Sequence, residues 1–147
     1  MPKTYDQAYF DKWYRSADHA VGSPAELNRK VAMVLAQQTP LVLLDEPTTF
    51  LDIAHQVDLL DLFAMLNREQ GRTVVAVLHD LNHACRYADQ IIAMKAGCIV
   101  AQGNPKDVIT EELVEAVYGL KCQIIDDPQT GTPLVIPRAS PHTRART

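Results

Sequence analysis

The chain has 147 residues, 47% of them hydrophobic and 22% charged, with a formal net charge of −4. That length supports one modest core, and the acidic balance speaks against general nucleic-acid binding, which needs a basic surface, so no nucleic-acid partner is expected. No apolar run reaches the roughly 18 residues of a membrane-spanning helix, residues 1–10 are polar and aromatic rather than signal-like, and Cys85, Cys98 and Cys122 form no Cys-x-x-Cys pair, which argues against a zinc site or disulfide framework and fits a reducing cytosol.

In chain order, Tyr5, Tyr9, Phe10, Trp13 and Tyr14 recur near helical spacing, so a short amphipathic helix is expected within residues 1–22. Ser23 can cap a helix that opens with Pro24, with Glu26 completing a capping box, and this helix should run to about Gln38 and bury Val31, Val34 and Leu35. Leu41-Val42-Leu43-Leu44 is a short unbroken apolar run and predicts a strand buried on both faces, as in a parallel sheet. Asp52 caps a second helix to about Glu69, with an apolar stripe of Ile53, Val57, Leu60, Phe63 and Met65 or Leu66, and Gly71 ends it. Thr73 to Leu78 is a second buried strand, β-branched and apolar.

Leu81 to Ala88 predicts a short helix, Ile91 to Met94 a third strand, Ala96-Gly97 a turn, and Ile99 to Ala101 a hairpin partner. Short helices open at Gly103-Asn104-Pro105 and at Thr110-Glu111-Glu112, the second ending near Gly119. Gln123 to Ile125 and Pro133 to Ile136 bracket a turn and predict a late β-hairpin, and the Arg/Thr/Pro/Ser-rich residues after Pro137 read as a disordered tail. The strand–helix–strand–helix–strand order places the chain in the α/β class.

Asp45 and Glu46 stand directly after the first strand. The carboxyl ends of parallel strands are where ligands bind. Two adjacent carboxylates there suit a divalent metal, held by Asp45 through water, and a general base, Glu46, acting on an attacking water.

The string Leu43-Leu44-Asp45-Glu46-Pro47-Thr48-Thr49-Phe50-Leu51-Asp52 closely resembles the Walker B motif and D-loop of ABC transporter ATPases, and His79, before Asp80, resembles their switch histidine. The likeness covers roughly Asn28 to Pro137. The strings Thr48 to Gln56 and Leu78-His79-Asp80-Leu81-Asn82, with the late Thr130-Gly131-Thr132-Pro133, are similar to the branch that powers import of ferric siderophores, haem and cobalamin. The resemblance implies a partial P-loop NTPase core, with a mostly parallel sheet flanked by helices plus a C-terminal β-hairpin. It implies ATP and Mg²⁺ as cofactors, Mg²⁺ on Asp45, catalysis by Glu46 as base with His79 on the γ-phosphate, and Asp52 reaching across a dimer interface; Asp52 can equally be the cap of its own helix. An imidazole suits the role given to His79, because it can donate to a phosphate oxygen in a water-poor site. The implied partners are a transmembrane permease and either a second copy or a complete ATPase subunit, on the cytoplasmic face of the inner membrane. Substrate choice in that family lies with the permease and its binding protein. His83 lies four residues beyond His79, a possible metal spacing, but reads as ordinary, and His19, His55 and His142 read as surface residues.

Three family motifs are missing, the P-loop, the glutamine loop that follows it, and the signature. A P-loop needs Gly-x-x-x-x-Gly-Lys-Ser/Thr, and no Gly-Lys pair occurs. Where Leu-Ser-Gly-Gly-Gln is expected the chain reads Val21-Gly22-Ser23-Pro24-Ala25-Glu26-Leu27. The expected organisation is therefore a divergent segment over 1–22, the C-terminal part of a nucleotide-binding domain over 23–137, and a tail over 138–147. The function implied is a truncated ATPase subunit of an iron-siderophore importer, inactive alone. The alternative is a non-catalytic module that pairs with a complete ATPase subunit or a permease. An ABC-type ATPase of DNA maintenance would need coiled-coil arms, and no sustained heptads are present. The family places its P-loop strand between the strand ending at His79 and the one at Ile91-Ile92. Without it those strands must close up, or leave apolar edges that invite association.

Overall fold

The computed structural model describes Val31, Val34 and residues 39–138. The helix expected within 1–22, most of the one over 23–38, and the tail after Arg138 lie outside the described residues; Val31 and Val34 are helical and buried, as expected.

Strand β1 (Leu41–Asp45) leads through a turn into helix α1 (Ile53–Gln70) and strand β2 (Thr73–Val77), which lies parallel to β1 with Leu41 opposite Thr73 and Asp45 opposite Val77. The boundaries of α1 follow local chemistry. The Asp52 carboxylate accepts from the His55 N–H at 3.0 Å, which satisfies an otherwise unpaired first-turn donor. At the other end Gly71 adopts φ 64° and donates to the Asn67 carbonyl, a left-handed cap that favours glycine. The buried face of α1 is Leu59, Leu60, Leu62, Phe63 and Leu66, and it packs with Val42, Leu51, Val31 and Val34 into the first core.

Leu60, Phe63 and Leu66 of the expected stripe are buried, but Ile53 is 77% exposed, and Leu59 and Leu62 join the packing. His55, expected at the surface, is 5% exposed, drawn under the helix start by the Asp52 carboxylate 2.9 Å from its Nδ1. The strands are also less enclosed than their composition predicts. Alternate residues of a strand face opposite sides, and only one side of the β1–β2 ribbon meets α1. Val42 is fully buried, whereas Leu43 is 63% exposed, and Leu41, Val75 and Val77 share its outward side.

Helix α2 (Leu81–Tyr87) follows β2, and strands β3 (Ile91–Lys95) and β4 (Cys98–Gly103) form an antiparallel hairpin through Ala96-Gly97. Both turn residues have positive φ, 49° and 79°, the twist that matches a two-residue hairpin. Short helices α3 (Pro105–Val108) and α4 (Glu111–Tyr118) follow, capped by Asn104 and Thr110, then the antiparallel hairpin of β5 (Cys122–Asp126) and β6 (Pro133–Pro137). Cys85, Val108, Ile109, Val114, Cys122 and Val135 make the second core. Burial there pushes the Cys85 thiol up to about 11, so it behaves as a small apolar group.

The α/β class stands, but among the described residues parallel pairing is confined to β1 and β2, and the strands form three separate two-stranded sheets. Strands β2 and β3 do not pair, and of the two outcomes foreseen the structure shows the open one.

Candidate active site

The carboxyl ends of β1 and β2 bring the candidate residues together. Asp45 is the last residue of β1 and lies in register with Val77, the last of β2. Glu46 follows in a left-handed conformation, φ 45°, unusual for a residue with a side chain. A turn holds it there, with the Thr49 N–H donating to the Glu46 carbonyl at 3.1 Å and the Thr49 hydroxyl donating to Glu46 Oε2 at 3.2 Å. Positive φ at a non-glycine residue concentrates at functional sites, and Phe50, in the same turn, also has φ 66°.

His79 stands two residues after β2 and places Nε2 2.6 Å from Glu46 Oε1. The imidazole hydrogen bond, then its charge, then the Thr49 hydroxyl hold the Glu46 carboxyl below the usual range, so it is ionised at neutral pH. The pair joins residues 33 positions apart in sequence, and it forms because β1 and β2 lie side by side. Asp52 faces its own helix: His55 is its principal partner, and the cap hydrogen bond holds its carboxyl low. His83 sits on α2 with Nδ1 4.0 Å from Asp80 Oδ2.

Among the described residues no group of three or more His, Cys, Asp or Glu side chains could hold a metal unaided. Asp45 beside Glu46 suits Mg²⁺ only in the manner in which that ion is commonly bound, through one or two carboxylates with water and phosphate oxygens completing the shell. Two side-chain pairings near the site are not legible in the sequence. Thr49 was legible as a turn residue, but nothing in the string shows its hydroxyl on Glu46. Asn82 pairs with Val135, 53 residues on, and no local pattern signals that.

No protein-family model matches the chain. It is 64% identical over 115 residues to a ferric enterobactin transport ATP-binding protein of Escherichia coli, covering 77% of this chain and 42% of that protein. It is 50% identical over 133 residues to a probable siderophore transport system ATP-binding protein of Bacillus subtilis, covering 88% of this chain and 47% of that one. The chain thus spans less than half the length of these curated relatives. Among solved structures it superposes on an inward-facing metal-chelate type ABC transporter with a TM-score of 0.67 at 26% identity, covering 77% of this chain and 47% of that chain. By sequence and by fold this chain is a relative of the ATP-binding subunits of ABC-type iron-chelate transporters, and it carries part of their α/β ATPase core.

Proposed function

We propose that residues 23–137 supply the Walker B and switch-histidine portion of an ATP-binding subunit that drives import of an iron siderophore. The observation that carries this reading is the 2.6 Å contact between His79 Nε2 and Glu46 Oε1 at the carboxyl edge of a parallel strand pair. Glu46, ionised and aimed by His79 and Thr49, accepts the proton of an attacking water. Asp45 would hold the metal ion through water, and the His79 Nε2 donor, which here faces Glu46, would turn to the developing phosphate charge once nucleotide is bound. Bound Mg·ATP would supply the phosphoryl group and neutralise its charge. The exposed Phe50 suits a contact with a second ATPase subunit, and Asp52, which caps α1 in this structure, would reach that subunit from the same turn. The subunit acts peripherally against a membrane permease at the cytoplasmic face of the inner membrane; among the described residues no helix is long and apolar enough to cross a membrane.

The 147 residues contain no Gly-Lys pair, so the phosphate cradle is not in this sequence and the chain alone does not hydrolyse ATP. A second reading is favoured by the open apolar side of the β1–β2 ribbon: a module that completes itself by pairing with a full ATPase subunit or with the permease. Calorimetric titration with ATP and Mg²⁺, run beside Glu46→Gln, tests both. No heat at millimolar nucleotide is expected. Saturable binding, tightened in Glu46→Gln, would show a phosphate cradle assembled across copies and overturn the inactivity.

A further inference from the structure

His79 lies between two supports. On one side is β2, paired with β1. On the other is α2, which opens one residue later at its cap Asp80, whose Oδ1 accepts from the N–H groups of Asn82 at 2.8 Å and His83 at 3.0 Å. A seven-residue helix has little stability of its own, so its position depends on what it is fastened to.

That fastening is the β5–β6 hairpin. The Asn82 carboxamide donates to the Val135 carbonyl at 3.2 Å and accepts from the Val135 N–H at 2.7 Å. A carboxamide carries one acceptor and one donor group side by side, so it pairs with Val135 as a neighbouring strand would. One turn later the Arg86 guanidinium grips Asp127 Oδ2, through Nε at 3.1 Å and Nη2 at 2.5 Å, where β5 enters the turn of the same hairpin. The Tyr87 hydroxyl donates to Asp61 on α1 at 2.8 Å. Asn82 is the fastening nearest His79 and the one made to the backbone of the hairpin.

We infer that Asn82 is a positioning residue: by locking the first turn of α2 onto β6, it holds the His79 imidazole against Glu46. The C-terminal hairpin thereby becomes part of the site without touching it. This rests on the reading of Glu46 and His79 as the site, but its test needs no nucleotide. Long-range ¹⁵N–¹H spectra of the full ¹⁵N-labelled chain, at one fixed pH, report the hydrogen bond at His79 Nε2, with His79→Gln giving the assignment and Glu46→Ala the reference for a broken pair. Asn82→Ala is expected to move the His79 Nε2 resonance to the Glu46→Ala position while the amides of β1 and β2 stay in place. Asn82→Asp, which keeps the acceptor for the Val135 N–H and loses the donor, is expected to move it part of the way, and decides alone if Asn82→Ala does not fold. Asn67→Ala, which removes a side-chain bond to the Arg72 carbonyl at the far end of α1, should leave it unmoved. An unmoved His79 resonance in the Asn82 variants overturns the role of Asn82 alone. A wild-type resonance already at the Glu46→Ala position overturns the pair itself and the inference with it.

Discussion

The two halves of the molecule are held together differently. From β1 to β2 the fold relies on apolar burial: one side of a two-stranded ribbon lies on α1, and the other side, with Leu43 and Val75, is open. From α2 to β6 the elements are short and the core is smaller. There polar pins do the joining: Asn82 on Val135, Arg86 on Asp127, and Arg138 on Glu111 at 3.3 Å. The candidate site sits where the two regimes meet, with Glu46 on the apolar half and His79 on the link to the pinned half. A packed ribbon fixes residues that lie on it, while a residue beyond its end needs a second support.

The sharpest way to break this contrast is to hollow the first core. Leu66 is fully buried, and Leu66→Ala should cost about 2–5 kcal/mol in urea unfolding, the range for removing a buried leucine. In the pinned half the informative variable is pH. Asp127 is held low, first by the Arg86 guanidinium, then by the Gln129 N–H. A depressed folded value means that the folded chain binds fewer protons than the unfolded one between that value and the ordinary Asp value of about 3.9. The contribution of Asp127 is therefore complete above the ordinary value and lost as pH falls through the folded one. Asp127→Asn should be less stable than wild type at neutral pH, and its urea midpoint should fall less on acidification toward about pH 2. A parallel fall in both proteins would show that the pin does not govern the acid limb. A smaller effect comes from the end of α1. Gly71→Ala meets no steric neighbour but must adopt φ 64°, and should cost about 1–2 kcal/mol, with Gly71→Asn costing less.

Much of this was legible because it is local. The Asp52 and Thr110 caps, the closing Gly71 and Gly119, the Ala96-Gly97 turn and the late hairpin all follow from residue types within a few positions. The pairing of β1 with β2 followed from two apolar runs around one amphipathic helix. Burial was read less well. The run Leu41 to Leu44 looks enclosed on both faces by composition, but enclosure needs a second layer, and a strand's sequence does not carry its neighbours. The same holds for His55: a histidine in the first turn looks solvated by sequence, and the cap turns its ring inward. At the site, Asp45, Glu46 and His79 could be named from their strings, and Asn82 could not, since its partner is a backbone group set by tertiary packing.

The smallest expected effect tests the contrast from the open side. If the first core alone stabilises the β1–β2 half, Leu43 contributes little, because its side chain stays in contact with water after folding. Leu43→Thr keeps strand propensity and removes apolar surface, so its unfolding free energy should lie within about 0.5 kcal/mol of wild type. The same substitution acts on association. Leu41, Leu43, Val75 and Val77 make most of the exposed side of the ribbon, among the described residues no further strand pairs with β2, and a strand edge next to an apolar face pairs readily with another chain. Sedimentation velocity across a concentration series should therefore show less self-association for Leu43→Thr than for wild type. A cost near that of Leu66→Ala would mean that this side is packed in solution. Unchanged sedimentation would mean that the open side is not what draws copies together.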